Sequence, residues 1–271
     1  MVYKYIKFKK DKQNCFKGKI KKNDGNMTKA EEFWKTRSQK YNNLNWVTDD
    51  SYLNAIIAAG EFTKDDKVLD VGTGTGIIAH TIAPLAKEII GVDISQDMLK
   101  HSNWQDNKYF IRRDIRERIF HEGVFDKVTA RMVFHHIIED TQKAMNECFR
   151  VLRPGGKMIL AEGVPPTKEL KGAYEEIFKL KEERIVFLEE DLVQMFRNAG
   201  FKHVNVITHL QKGFSVTNWL ENAGGLSEEV KKKILDLHLN GTDEFKNVYN
   251  LRIVDGECHI DTKSLIVVGT K

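Results

Sequence analysis

The stretch that decides the fold is VLDVGTGTG, residues 68–76. It begins as a short apolar strand, and Gly72, Gly74 and Gly76 then follow at every second position. Glycine adopts positive φ readily and carries no Cβ, so a turn of this kind can pass close beneath a ligand. A helix with an apolar face begins at Ile77. The stretch therefore predicts a strand, a ligand-binding turn and a helix in an α/β sheet.

Strands and helices alternate after this turn. That alternation is typical of a parallel sheet with helices on both faces. The predicted strands are 68–71, 88–93, 108–112, 125–130 and 157–162, with helices starting near Ser95 and covering 139–152.

Both ends of the chain add helical segments, predicted over 28–41 and 52–59 and, after Pro165-Pro166, over 169–181, 188–199 and parts of 215–248. The remaining predicted elements are a strand at 204–208, a hairpin turn at Asp255-Gly256 between 251–254 and 258–260, and a last strand at 264–269. We predict one domain over 27–271, with a core at about 60–165 and helical additions at about 28–59, 166–200 and 210–250.

The net charge of +4 is unevenly distributed. Residues 1–26 hold nine lysines and two aspartates, a net of +7, so the other 245 residues carry −3. Such a run could bind nucleic acid or a membrane surface, but it is more often a solvated tail. We predict a flexible basic leader over 1–26 that is dispensable for the domain.

The composition excludes several classes of protein. No apolar run approaches 18 residues, which predicts no membrane span. Cys15, Cys148 and Cys258 are far apart and form no CxxC pair, which predicts neither a disulfide framework nor a metal site. We expect a cytoplasmic protein, and the sequence leaves its oligomeric state open.

Three acidic residues narrow the choice of ligand. Asp93 ends the second strand, where a carboxylate can accept from both hydroxyls of a ribose. Asp70 precedes the glycine turn, where it would repel a diphosphate but suits an ammonium group. Asp114 follows the third strand, where it could accept from an adenine amino group. Together with the spacing of the glycines, these positions favour S-adenosylmethionine over a nicotinamide dinucleotide.

Residues 67–162 resemble the class I S-adenosylmethionine-dependent methyltransferases, especially their small-molecule branch of quinone and natural-product enzymes. Five stretches match that family's motifs in order: VLDVGTGTG, GVDIS (91–95), RRDIRE (112–117), FDKVTARMVFHHI (125–137) and FRVLRPGGKMIL (149–160). The resemblance implies a Rossmann-like, mostly parallel sheet of seven strands, with helices on both faces and helical insertions after strands 5 and 6. It also implies that the last strand lies antiparallel beside the sixth.

The resemblance further implies S-adenosylmethionine as the cofactor and assigns residues to its parts. Asp70 would hold the amino group and Asp93 the ribose hydroxyls. Asp114 and the Ile115 amide would bind the adenine edge. The remaining cofactor-binding residues implied are Gly72, Thr73, Gly74 and Gly76 at the methionine part, Ile94 and Met98 against the adenine, and Arg131 near the methionine end.

Methyl transfer from a sulfonium requires alignment of the reactants, and it needs a general base only if the acceptor must lose a proton. His135 and His136, after the fourth strand, are the candidate bases, and Glu162, at the end of the fifth, is a third candidate. The family often carries such histidines without using them as a base, so these assignments are hypotheses.

The sequence is compatible with three functions. The first is transfer to a small-molecule acceptor. The second is an RNA or protein acceptor, for which the leader and Lys231-Lys232-Lys233 would supply charge, although the (N/D)PP(Y/F) tetrad of many such enzymes is absent. The third is a cofactor-binding homologue without catalysis. We expect a small-molecule acceptor and no nucleic acid partner.

Overall fold

The computed structural model describes residues 29–102 and 107–271, without the side chains of residues 29–32. The predicted leader over 1–26, with Met27 and Thr28, lies outside the described residues. The elements before and around the glycine turn are helices α1 (Lys29–Ser38), α2 (Asp50–Gly60), α3 (Ile77–Ile82) and α4 (Gln96–Leu99), with strands β1 (Lys67–Val71), β2 (Glu88–Asp93) and β3 (Lys108–Arg112).

The second half begins with β4 (Phe125–Arg131), α5 (Thr141–Val151), β5 (Leu152–Val164), α6 (Lys171–Lys181), α7 (Glu189–Ala199) and β6 (Lys202–Ser215). It continues with α8 (Val216–Asn222), α9 (Glu228–Leu239), α10 (Asp243–Val248), β7 (Arg252–Val254) and β8 (Glu257–Thr270). Short 3-10 turns lie at Tyr41–Asn43, Asn45–Thr48, Ala83–Leu85 and Phe134–His136.

The sheet has the strand order β3-β2-β1-β4-β5-β8-β6. Strands β1 to β5 are mutually parallel, and β8 lies antiparallel between β5 and β6. The Rossmann-like α/β fold and the antiparallel position of the last strand are therefore confirmed. The described residues contain one strand more than the expected seven, because β7 forms a hairpin with β8.

The last strands are longer than predicted. The segments expected at 258–260 and 264–269 are one strand, β8, and β6 reaches Ser215 instead of ending at 208. Residues 261–263 are polar, yet the strand continues through them, and the side chains of Asp261 and Lys263 find hydrogen-bond partners in neighbouring segments. The Asp261 carboxylate accepts from the Gly213 amide at 2.9 Å and from Asn250 Nδ2 at 3.0 Å.

Local chemistry explains where the helices begin and end. The Asp49 carboxylate accepts from the Tyr52 amide at 2.8 Å and caps the start of α2. Gly200, with φ of 101°, takes the left-handed conformation that ends α7.

Apolar side chains bury both faces of the sheet, and a third cluster lies under the helical additions. This third cluster joins Leu44 and Val47, from the segment before α2, to Ile177 of α6, Trp219 of α8 and Ile260 of β8. The chain before β1 and the helices after β5 and β6 therefore pack together, at the end of the sheet where the parallel strands terminate.

Candidate active site

A cavity of about 400 Å³, here called the first cavity, lies at the carboxyl ends of β1, β2 and β4. The glycine turn forms its floor. Gly72 and Gly74 have φ of 63° and 55°, values that side chains with a Cβ rarely adopt. A Cβ on Gly72 would lie 2.2 Å from Cγ2 of Val133, so this position has no room for one.

Asp93 ties the glycine turn to the end of β2. Its Oδ2 accepts from the Gly74 amide at 2.9 Å, and its Oδ1 accepts from the Ser95 amide at 2.8 Å. Burial raises the pKa of this carboxyl to about 6, although both backbone hydrogen bonds favour its ionised form. Asp93 also lines the first cavity, so this residue both shapes the turn and borders the cavity.

Asp70 is 1 % exposed at the floor of the same cavity. Its carboxylate accepts from the hydroxyls of Thr73 at 2.6 Å and Thr129 at 2.8 Å. Burial raises its pKa to about 6. Thr129 was not singled out from the sequence, where a threonine inside a strand gives no functional signal.

The other end of the first cavity is partly apolar. Ile94 lines it and is 42 % exposed, so this side chain is not core packing, whereas Met98 and Ile115 line it from buried positions. Asp114 is engaged by a residue that the sequence analysis did not identify. Arg116 donates to both carboxylate oxygens through Nε at 3.0 Å and holds the pKa of Asp114 below its usual value.

Arg131 links the first cavity to the segment before α2. Its Nη1 donates to the Val47 carbonyl at 2.8 Å, and its guanidinium lies 5.5 Å from the Trp46 ring centre. Ten of the eleven predicted cofactor-binding residues line this cavity. Gly76 is the exception: it stands behind the turn, and its amide donates to the Thr73 carbonyl at 2.8 Å. Gly76 lies outside the lining of this cavity and is the N-cap residue of α3, so its place at the ligand stays a prediction.

A second cavity, of about 120 Å³, adjoins the first. It lies among α1, α6, α8 and the ends of β5 and β8, and aromatic side chains form much of its wall. Five side chains line both cavities and form a shared wall: Trp34, Tyr41, Met132, His136 and Glu182.

Glu162 anchors the turn that follows β4. Its Oε1 accepts from the amides of Val133 at 3.1 Å, Phe134 at 2.7 Å and His135 at 3.4 Å. Its Oε2 lies 2.6 Å from His135 Nδ1. Burial raises the pKa of Glu162 to about 7. Glu162 lines neither cavity, so the geometry favours a positioning residue over the base predicted from the sequence.

The two histidines differ in position. His135 lines the second cavity alone, whereas His136 belongs to the shared wall and packs edge-on against Trp34, with ring centres 4.8 Å apart. Burial holds the pKa of each imidazole well below its usual range, so both are neutral near pH 7. Of the three predicted bases, His136 is the one that can reach both cavities.

A buried charge cluster lies beside the histidines. Glu182 pairs with Arg37 and Lys181, and lies 3.5 Å from Arg184 Nη1. In the described part of the chain, one group of donors has ligand atoms within 4.8 Å of one another: His135, His136 and Glu182. Arg37, Lys181 and Arg184 already surround the Glu182 carboxylate, so the geometry does not favour a metal ion here. That the protein binds no metal stays a prediction.

The glycine turn lies within a stretch, residues 69–160, that matches the family model described as a methyltransferase domain. An uncharacterized methyltransferase of Schizosaccharomyces pombe is 28 % identical over 207 residues, which are 70 % of this chain and 71 % of that protein. A demethylmenaquinone methyltransferase of Thermus thermophilus is 31 % identical over 127 residues, 44 % of this chain and 56 % of that protein.

The fold is also that of a solved structure. The YcgJ protein of Bacillus subtilis matches with a TM-score of 0.70 at 21 % identity, over 82 % of this chain and 98 % of that one. At this identity the likeness shows the fold alone. Within the described residues, every helix is too short or too polar to cross a bilayer.

Proposed function

Because this chain belongs to the class I S-adenosylmethionine-dependent methyltransferases, we propose that it transfers the cofactor's methyl group to a small molecule in the second cavity. One observation carries the proposal: the two cavities adjoin through the shared wall. A donor and an acceptor that occupy one cavity each would meet there, which is the arrangement that an in-line transfer requires.

The first cavity fits the cofactor in shape and in charge. The turn at Gly72 and Gly74 leaves no Cβ between backbone and ligand, and Asp70 lies beneath it, where a carboxylate suits an ammonium and opposes a diphosphate. We assign the ribose hydroxyls to Asp93 and the adenine to the apolar surface of Ile94 and Met98.

When bound, S-adenosylmethionine supplies a methyl group on a cationic sulfur, and transfer removes that charge. The protein chain positions the two reactants and excludes water from them. Fixing both reactants in line lowers a barrier by up to about 7–11 kcal/mol. Trp34, Tyr41 and Met132 are bulky side chains between the cavities, and they reduce the room for water beside the reacting atoms.

His136 is the residue that we propose as proton acceptor for acceptors that must lose a proton. It lies in the shared wall, and its low pKa leaves the imidazole free to accept near neutral pH. His135 is held against Glu162 through Nδ1, and we propose that this pair fixes the turn that carries His136.

The second cavity favours a small molecule over RNA or protein. The helical additions supply most of its lining, and its volume of about 120 Å³ suits a small molecule better than a stretch of polymer. The lysines of α9 that the sequence offered for phosphate contacts are partly neutralised, since Lys231 pairs with Glu221 and Glu228, and Lys233 with Glu229. The relative from Thermus thermophilus is named for demethylmenaquinone, a quinone and not a polymer, which supports the same choice.

Two measurements test the proposal. Isothermal titration with S-adenosylmethionine should show at least tenfold weaker binding by Asp93→Ala than by wild type. Asp97→Ala is the control, because Asp97 is a half-buried acid of α4 that does not line the first cavity. Radiolabelled cofactor should then label quinols, phenols or amines in preference to total RNA or protein. Equal affinity of wild type and Asp93→Ala would remove the ribose assignment. Label in RNA or protein alone would favour the polymer acceptor, and intact cofactor binding without label in any acceptor class would favour a non-catalytic protein.

A further inference from the structure

We propose that the acceptor carries a planar carboxylate on an aromatic body, and that the guanidinium of Arg184 binds this carboxylate in the second cavity. The inference rests on the proposed function, since it names the class of molecule that the second cavity selects. It depends on the hydrogen-bond state of Arg184, on the balance of charge around the cavity and on the chemistry of the cavity wall.

Arg184 stands in the segment between α6 and α7 and lines the second cavity alone. Its side chain is 6 % exposed, and its guanidinium lies 4.2 Å from the centre of the Phe178 ring. The neighbouring backbone is fixed, because the Ile185 amide donates to the His135 carbonyl at 2.9 Å. The guanidinium is therefore held in place before any ligand arrives.

Two of the donor atoms of Arg184, Nε and Nη2, are buried and have no acceptor among the residues that the structure describes. These two atoms share one edge of the guanidinium plane, and their N–H groups point the same way. A carboxylate accepts from such an edge through both of its oxygens. A buried donor without an acceptor is unfavourable, so a ligand that supplies the acceptor gains affinity by removing this cost.

A second donor in the cavity wall is in the same state. Arg37 pairs with Glu182 through Nη1, but its Nε is buried without an acceptor in the described part of the chain. The two guanidiniums both contact the Glu182 carboxylate, so they lie close together. Three buried guanidinium nitrogens in this region, Nε and Nη2 of Arg184 and Nε of Arg37, therefore have no acceptor among the described residues.

The charges that line the second cavity favour an anion. Arg37, Arg184 and Lys263 line it as cations against the single carboxylate of Glu182, and Lys181, whose pKa burial lowers to about 7, adds a partial positive charge. His135 and His136 add no charge near neutral pH, because burial lowers the pKa of both. An anionic ligand would offset this excess, whereas a cation or a metal ion would increase it.

The rest of the wall suits an aromatic ring. Phe178 and Trp219 lie with ring centres 5.5 Å apart, and Tyr174 lies 4.5 Å from Phe178. Rings at these distances pack well against another ring. The unpartnered donors of Arg184 have almost no water-accessible surface, so the carboxylate reaches them by displacing a side chain of this wall.

Benzoate and benzamide test the inference, because they have the same shape and differ in charge and in acceptor oxygens. Binding is measured by isothermal titration with saturating S-adenosylhomocysteine. We expect wild type to bind benzoate at least tenfold more tightly than benzamide. Arg184→Gln should lose this preference and keep its affinity for benzamide. Arg184→Lys, which keeps the charge but not the planar fork, should lose most of it.

Arg153→Gln is the matched control, because Arg153 is exposed near the amino end of β5, opposite the cavities, and its loss changes the net charge equally. Its preference should equal that of wild type. A wild type without preference for benzoate, including one that binds neither probe, overturns the inference, as does a preference that survives in Arg184→Gln. Titration with S-adenosylhomocysteine alone separates the two proposals: if it binds normally, a negative result concerns the acceptor only, and if it does not bind, the proposed function fails.

Discussion

Replacing Glu162 distinguishes a base from a positioning residue. Its carboxylate holds the backbone of the turn after β4, accepting from three amides through Oε1 and contacting His135 Nδ1 through Oε2. Glu162→Gln keeps an oxygen for the amides and presents an amide N–H to the imidazole, which accepts it after a change of tautomer. Glu162→Ala removes every acceptor at once.

The expected magnitudes follow from the contacts. Leaving one buried donor without an acceptor costs about 1–3 kcal/mol, and Glu162→Ala leaves the amides of Val133 and Phe134 and the His135 ring in that state. We therefore expect Glu162→Ala to lower the free energy of unfolding by at least about 3 kcal/mol. For Glu162→Gln we expect a loss of about 1–2 kcal/mol, comparable to one altered hydrogen bond.

Urea denaturation measures both losses, and methyl transfer to an acceptor found in the radiolabel screen gives the second readout. A positioning residue predicts that Glu162→Gln keeps most of its turnover, with an unchanged pH profile. Turnover abolished in Glu162→Gln at wild-type stability would restore the base assignment. Stability of Glu162→Ala within about 0.5 kcal/mol of wild type would refute the reasoning from the buried donors, because surface substitutions alone reach that value.

Three further predictions concern the two cavities. Gly74→Ala and Gly155→Ala should each lower the free energy of unfolding by about 1–2 kcal/mol in urea denaturation, since both glycines have positive φ. Only Gly74→Ala should also weaken S-adenosylhomocysteine binding in a titration, because its new Cβ would lie 3.1 Å from Met98 Cε. Burial raises the pKa values of Asp70 and Asp93 to about 6, so titration should show affinity for S-adenosylhomocysteine falling as the pH drops through 6, where the carboxylates gain protons, and Asp93→Asn should flatten this dependence. The ligand-free stability contributed by these two acids should change in the opposite sense, rising as the pH falls from 6 towards 4, because the folded state binds their protons more tightly than the unfolded chain does. His136→Gln should lower turnover on phenol acceptors at least tenfold and leave the dissociation constant of S-adenosylhomocysteine within twofold, and equal turnover would exclude it as a base.

The cofactor side was predictable because its chemistry is local in sequence. The strand, the turn at Gly72 and Gly74 and the acid Asp93 each leave a signal in a few consecutive residues, and parallel strands bring their carboxyl ends to one edge of the sheet. Gly76 marks the limit of this reasoning, because a glycine before a helix can serve the turn without lining the cavity. Local reasoning failed for β8, because polar residues that find partners in neighbouring segments look like a break in the strand.

The acceptor side was not predictable from local patterns. Arg37 and Glu182 stand 145 residues apart and form a buried ion pair. Both residues would be ordinary surface charges in isolated helices, and they become buried partners only because α1 packs against the end of α6. Glu162 illustrates the same point: a carboxylate at the end of a strand can face a ligand or hold a neighbouring turn, and only the folded chain decides which.

The shared wall has a consequence for how this protein can change its specificity. Under the proposed function, a mutation at Trp34, Met132 or His136 would alter the donor cavity and the acceptor cavity together. A gain in accommodating a new acceptor would then be accompanied by a change in affinity for the methyl donor. Positions that border one volume alone, such as Phe178 and Trp219, are free of this linkage. Directed evolution towards new acceptors should therefore accumulate substitutions in the helices after β5 and β6 and leave the partition between the two chambers intact.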